Sequence, residues 1–209
     1  MIFKRLFDII ISTMALLALS PLLLLIGVLV RIHSTGPAVF RQTRIGRNGR
    51  PFTLLKFRSM SIQKQTAPAF TPGATPRITR LGKWIRKTKT DELPQLWNVL
   101  VGDMSLVGPR PEVPEWTKVY PERWEVVLSV RPGITDPASI MFRDEEALLA
   151  TAPDPTECYR NEILPRKLDL AAKYATNHTL LGDISIILRT ALVIVRPASS
   201  QSSADECGE

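Results

Sequence analysis

IIISTMALLALSPLLLLIGVLV, residues 9–30, runs for 22 residues without a charge. As a helix it is about 33 Å long at ~1.5 Å per residue, enough for a hydrocarbon layer of ~30 Å. Arg31 closes the stretch with no small-residue cleavage site behind it, so it reads as a retained segment and not as a cleaved signal. Ser20-Pro21 lies in its middle. Proline lacks the N–H that would bond the Leu17 carbonyl and disfavours helical geometry at Ser20, so a sharp bend is expected there. Lys4 and Arg5 precede the stretch and Arg31 follows it, and basic residues at both ends favour keeping both on the cytoplasmic side. This pattern leaves open a re-entrant hairpin over residues 1–35 and a kinked helix that spans.

Beyond this segment the charge is strongly divided. From Arg31 to Thr90 there are fourteen Lys or Arg residues and no acid, and Asp91-Glu92 ends the run. Residues 1–90 carry a net +15 and residues 91–209 a net −8, within an overall charge of +7, so the front half is the one that faces anions. A basic field ending at paired carboxylates suits a site that gathers phosphate groups, offers a carboxylate to chemistry and holds a divalent cation. The same pattern also fits a membrane-hugging basic surface followed by a helix cap. With 209 residues, 44% of them hydrophobic, the chain can bury one core of catalytic size beside the membrane segment.

Composition narrows the chemistry further. His33 and His178 are the only histidines, and neither sits in a pattern for nucleophilic catalysis or zinc binding. Cys158 and Cys207 are too few and too far apart for a disulfide framework or a zinc cluster, which fits a reducing compartment. No P-loop or Rossmann glycine pattern is present. Any chemistry falls to carboxylates.

The expected class is α/β, mostly helical with a short β-hairpin, its body spanning residues 36–195. Residues 39–45 and 51–57 flank Asn48-Gly49, a good hairpin turn. Residues 65–76 read as a loop. Ile78, Leu81, Trp84 and Ile85 recur at helical spacing among Arg80, Lys83, Arg86, Lys87 and Lys89, predicting a basic amphipathic helix over 77–89 that lies on anionic lipid. Sparse aromatic residues argue against nucleic acid. A second helix is expected from Asp91 to about Leu100, with Pro94 in its first turn and Gly102 at its end, which would favour an ionised Asp91. Residues 104–107 read as a strand. The stiff loops Gly108-Pro109-Arg110-Pro111 and Arg131-Pro132-Gly133 each present an arginine suited to phosphate. Residues 184–195 are apolar but too short to span, and 196–209 have the composition of a disordered tail.

Taken together, these residues resemble the monotopic phosphoglycosyl transferases, the bacterial sugar transferases that begin glycan assembly on polyprenol phosphate. The resemblance rests on Lys4-Arg5-Leu6-Phe7-Asp8, Ser20-Pro21, Gly36-Pro37 with Gln42, Arg44, Gly46 and Gly49, and Lys56-Phe57-Arg58-Ser59-Met60. It continues through 77–82, Asp91-Glu92-Leu93-Pro94-Gln95-Leu96, 98–100, 102–111 and 131–135, covering roughly residues 3–195. It implies a membrane-embedded monotopic domain with a re-entrant hairpin broken at Ser20 and Pro21, and amphipathic helices at the inner-membrane interface facing the cytoplasm. It also implies Mg²⁺-dependent transfer of a phosphosugar from a UDP-sugar to polyprenol (undecaprenyl) phosphate. By the same resemblance Asp91 is the nucleophile and a metal ligand, and Glu92 helps hold Mg²⁺. Arg86, Arg110, Arg131, Lys56 and Arg58 contact phosphate or substrate. Membrane lipids are expected partners, and a homodimer is left open. Where the family often carries Gly after Arg-Pro-Gly-Ile-Thr this chain has Asp136, which puts donor contacts in question. The competing class is a membrane-anchored scaffold that binds lipid or another polyanion without catalysis, and Asp91-Glu92 separates the two.

Overall fold

A computed structural model describes residues 2–61 and 78–195. The helices are α1 (Ile2–His33), α2 (Arg80–Lys87), α3 (Gln95–Val101), α4 (Pro114–Thr117), α5 (Pro121–Val127), α6 (Pro137–Met141), α7 (Glu145–Thr151), α8 (Pro155–Cys158), α9 (Leu164–Asn177) and α10 (Leu180–Val195). Strands β1 (Val39–Ile45) and β2 (Pro51–Phe57) form an antiparallel hairpin, while β3 (Ser105–Val107) and β4 (Gly133–Thr135) pair in parallel. Among the described residues the fold is mostly helical with two small sheets, as expected. The expected loop at 65–76 and tail at 196–209 lie outside the described residues.

In α1 the helix continues through Pro21. The Ser20 hydroxyl donates to the Leu17 carbonyl at 2.8 Å, replacing the donor that proline removes, so the expected break does not interrupt the helix. Length and composition suffice to cross a membrane, and most of its surface is apolar and open. Phe3, Met14, Leu17 and Leu24 are exposed, and only Asp8, Ser12, Ile26 and Val30 are buried. Apolar area of this extent on a helix suits lipid rather than water.

Polar clamps hold α1 to the body. Lys4 Nζ donates to the Val107 carbonyl (3.0 Å) and pairs with Asp183 of α10. Arg5 donates to the Val99 and Leu100 carbonyls at 2.6 and 2.9 Å, satisfying the open C-terminal end of α3 and complementing its dipole. Asp8 accepts from the Ser105 hydroxyl and the Leu106 N–H. At the opposite end Ile26 and Val30 pack with Phe57 and Ile85.

The hairpin turns through Asn48 (φ 58°) and Gly49 (φ 74°), the left-handed conformations that this residue pair tolerates. Asn98 of α3 joins it from below, its Oδ1 accepting from the Leu55 N–H and its Nδ2 donating to the Thr53 carbonyl. The second helix starts later than expected. Thr90–Glu92 form a single 3₁₀ turn, and α3 begins only at Gln95. Lys89 reverses the chain at φ 56°, which detaches Asp91 from the first turn of α3. Gly102 caps that helix at φ 104°, as its sequence predicts.

The remaining core joins α5, the turn Tyr159–Ile163 that follows α8, and α9 through Trp124, Val127, Tyr159, Leu164 and Leu168. Cys158 lies in this core. Arg44 of β1 pairs with Glu112 at 2.9 Å, and the Tyr159 hydroxyl donates to the same carboxylate at 2.7 Å, fastening the hairpin to the helical half.

Candidate active site

Asp91 sits on the 3₁₀ turn, whose position follows from local hydrogen bonds. The Thr88 and Thr90 hydroxyls bond each other at 2.9 Å and donate to the Trp84 and Ile85 carbonyls at the end of α2, stitching the turn to that helix. α2 is itself capped by Thr79, which accepts from the Gly82 N–H. It starts at Arg80, later than the sequence predicts, because Thr79 is the cap; Arg77 lies outside the described residues.

The carboxylate of Asp91 is 7% exposed, and its Oδ1 is buried with no hydrogen-bond partner. Burial and the neighbouring Glu92 charge raise its pKa to about 6, against the pull of Lys56, Lys89 and Arg86. The expectation that a helix N-terminus favours the ionised form of Asp91 is therefore corrected: the turn removes Asp91 from the α3 start, and desolvation dominates. Glu92 behaves oppositely. Burial would raise it, but the charge and paired hydrogen bonds of Arg110, with Lys89 and Lys56, hold it below the ordinary glutamate range.

Arg110 reaches Glu92 with both guanidinium nitrogens, at 2.6 and 3.3 Å. The Glu92 charge raises its pKa, with burial opposing. Lys56, on β2, lies over the Phe40 ring at 5.5 Å. Burial and the charges of Arg44 and Arg110 lower its pKa to about 8, with Asp91 and Glu92 opposing. Arg86, in the last turn of α2, is shifted down by burial while Asp91 and Glu92 pull it up, and its guanidinium pairs with Glu146 of α7.

Asp91, Glu92, Lys56, Arg86 and Arg110 thus form one electrostatic cluster. Two expected phosphate contacts are held otherwise. Arg58 is buried and donates to Ser34 and to the Gly36 carbonyl, securing the turn after α1. Arg131 donates from Nε to the Gly102 carbonyl at 2.9 Å, and burial, then the charges of Arg5 and Arg47, lower its pKa against the pull of Asp8. Sequence reasoning did not single out Arg44, Lys89 or Glu146 as members of the cluster. Arg44 alternates with Gln42 on the hairpin face that carries Lys56 across the register, a period-two signal that was legible. Glu146 comes from a segment 54 residues beyond Glu92, with no local signal. Asp136, suspected of touching the donor, is buried and bonded to backbone amides.

A divalent cation fits this donor set in one manner. Among the described residues no three His, Cys, Asp or Glu side chains gather, and both Glu92 oxygens are engaged by Arg110. Asp91 Oδ1 is the one orphaned carboxylate oxygen here. Mg²⁺ would take Asp91, with Glu92 as neighbour, and complete its shell from substrate phosphates and water, as this ion commonly does.

A sequence profile described as bacterial sugar transferase matches residues 1–197. The chain belongs to the bacterial sugar transferase family. The chain is 40% identical over 198 residues to an undecaprenyl-phosphate glucose phosphotransferase of Komagataeibacter xylinus, covering 91% of this chain and 35% of that protein. It is 36% identical over 209 residues to an undecaprenyl-phosphate galactose phosphotransferase of Salmonella typhimurium, covering 92% and 40%. It is also 36% identical over 196 residues to a UDP-N-acetylgalactosamine-undecaprenyl-phosphate N-acetylgalactosaminephosphotransferase of Aeromonas hydrophila, covering 92% and 43%. The chain therefore spans between about a third and about two fifths of the length of these curated relatives. Their names carry three different sugars.

Proposed function

We propose that this sugar transferase is a phosphoglycosyl transferase that moves a sugar 1-phosphate from a UDP-sugar to polyprenol (undecaprenyl) phosphate. The products are a polyprenyl diphosphosugar and UMP, the first membrane step of bacterial glycoconjugate or exopolysaccharide assembly. The observation that carries this reading is Asp91: a buried carboxylate with one oxygen unpartnered, ringed by Lys56, Lys89 and Arg86, beside a Glu92 that Arg110 holds. The family and the names of the relatives agree with it.

In the first step an Asp91 oxygen attacks the sugar-bearing phosphorus. The bond from that phosphorus to the oxygen bridging to UMP breaks, and UMP departs with the electron pair, leaving a phosphosugar-aspartate. An oxygen of the lipid phosphate then attacks the same phosphorus, and the aspartyl bond breaks to restore the carboxylate. A desolvated carboxylate with a pKa of about 6 is largely ionised at neutral pH yet stripped of the water that would blunt it. Its encounter with a diphosphate is repulsive, and the surrounding cations offset that as charge spreads over the transferring oxygens. Arg86 exchanges Glu146 for a phosphate oxygen during this approach. Mg²⁺ held by Asp91, with Glu92 beside it, would supply Lewis-acid neutralisation of the diphosphate.

The same reading places the body at the cytoplasmic face of the inner membrane, with residues 36–195 as the catalytic body and α1 re-entrant by bending at Ser20 and Pro21 without a break in its helical run. Support comes from the fastening of α1 at both ends to one body, through Lys4, Arg5 and Asp8 and through Ile26 and Val30. Further support comes from Trp84 and Trp97, 53% and 54% exposed on the two helices that flank Asp91. Exposed tryptophans of this kind favour the membrane–water interface, which sets Asp91 near headgroup depth.

The test incubates purified protein with Mg²⁺, polyprenol phosphate and a panel of UDP-sugars while UMP is followed. One donor is expected to yield UMP, and Asp91→Asn to abolish both UMP and a trappable phosphosugar adduct. Folded protein that releases no UMP from any donor, or Asp91→Ala with undiminished turnover, refutes the reading. Cysteine labelling at residue 2 and at a body site is expected to report one side of the membrane; opposite sides would refute the re-entrant topology.

A further inference from the structure

The Gly108–Pro111 loop carries Arg110 to Glu92, yet Arg110 is itself 42% exposed. A half-exposed arginine holds two carboxylate bonds only when its backbone is fixed. Part of that fixing is visible in the β3–β4 pair. Gly108 and Gly133 cross so closely that a Cβ on Gly133 would stand 2.1 Å from the Gly108 nitrogen, and each donates its N–H across the crossing, to Thr135 and Pro109 respectively. The remaining amide, that of Arg110, has a different partner. It donates at 3.3 Å to Oδ2 of Asp136, whose Oδ1 accepts from the Ser139 N–H at 2.7 Å and so caps α6. Asp136 is 2% exposed; both of its described hydrogen bonds come from backbone amides, and its charge also acts on the Arg110 guanidinium.

A buried carboxylate kept for helix capping alone is poorly explained, because Asn, Ser or Thr caps as well without a buried charge. What only a carboxylate supplies here is two acceptor oxygens aimed at two amides on different segments. An Asn has one oxygen, and its NH₂ would face an N–H donor on the other side. We infer that Asp136 is a positioning residue of this transferase: its second oxygen clips the Arg110 backbone to α6 and so sets the Arg110–Glu92 pair beside Asp91. The inference rests on the proposed function for its catalytic consequence, but the clip itself does not.

Asp136→Asn separates the two roles. The shorter bond to Ser139 retains the oxygen, so α6 stays capped and the melting temperature stays within a few degrees of wild type. The Arg110 amide loses its acceptor, and its hydrogen exchange, read by mass spectrometry on the 108–112 region, accelerates. UMP release falls by roughly 10- to 100-fold, the scale on which small misplacements act. In an Arg110→Ala background the same substitution costs less than about threefold, because the residue it acts through is gone. Asp136→Ser, also a cap former, serves if the Asn variant does not fold. Unchanged exchange at Arg110, unchanged turnover, or an equal loss in both backgrounds overturns the inference. Should wild-type protein release no UMP, the proposed function fails while the exchange measurement still decides the clip.

Discussion

Lys4→Met probes the junction between the membrane helix and the body. Lys4 Nζ donates to the Val107 carbonyl (3.0 Å) and the Tyr174 hydroxyl (3.3 Å) and pairs with Asp183 at 2.5 Å. Methionine keeps the length and apolar stem but none of these bonds. Asp183 is 1% exposed and would retain only the Tyr174 hydroxyl as donor, at 2.7 Å. Removing one partner of a buried pair costs about 3–5 kcal/mol. Lys4 itself is 20% exposed, so water reaches the vacated position and the lower end, about 3 kcal/mol, applies. For a chain of this size that is a fall in Tm of roughly 6–12 °C, measured by circular dichroism of detergent-solubilised protein. Asp183→Asn added to Lys4→Met is expected to recover about half of the loss, since Asn still accepts from Tyr174 and leaves no stranded charge. A single variant melting within about 2 °C of wild type, or a double variant no more stable than Lys4→Met, would refute the reasoning.

Three further outcomes follow from the site. In EDTA, Asp91→Asn is expected to be more stable than wild type by up to about 3 kcal/mol at pH 8, because a folded-state pKa of about 6 means that folding disfavours the ionised form. The gain should shrink as pH falls through 6 and vanish below about 4; a gain that grows on acidification contradicts the burial argument. Lys56, with its pKa lowered to about 8, should react with an amine-directed reagent with an inflection near pH 8, read by peptide mass spectrometry, whereas an inflection near 10.5 would mean that it is not buried among Arg44 and Arg110. Gly82→Ala places a Cβ 1.9 Å from the Ser59 carbonyl oxygen, so α2 must shift, costing about 1–3 kcal/mol and reducing turnover through Arg86; a melt and activity equal to wild type would show that the helix is not held against Ser59.

Much of the fold follows from local sequence because its causes are local. The charge-free run from Ile9 to Val30 dictates a long apolar helix, Asn48-Gly49 dictates the hairpin turn, and Gly102 dictates the end of α3. The basic run broken by Asp91-Glu92 likewise marks where chemistry is to be sought, since charge of one sign accumulates only where an anion offsets it. Lys56, Arg86 and Arg110 were named from their motifs, and the structure gathers them at Asp91.

What the sequence could not convey depends on distance along the chain. Whether Pro21 breaks α1 was decided by a hydroxyl one residue away satisfying the freed carbonyl, and the docking of α1 by partners such as Val99, Ser105 and Asp183. Nearness to a helix start does not set the state of Asp91, because burial depends on everything packed around a group and not on its neighbours in sequence. Arg131 and Arg58 look like phosphate ligands in their motifs yet hold backbone carbonyls, while Glu146 enters the site from a segment with no motif at all, and Asp136, next to a motif, reaches the Arg110 backbone and not the donor. Residue type and spacing specify which elements form; only the three-dimensional packing assigns each buried charge its partner, because electrostatic energy depends on separation in space and on exclusion of water.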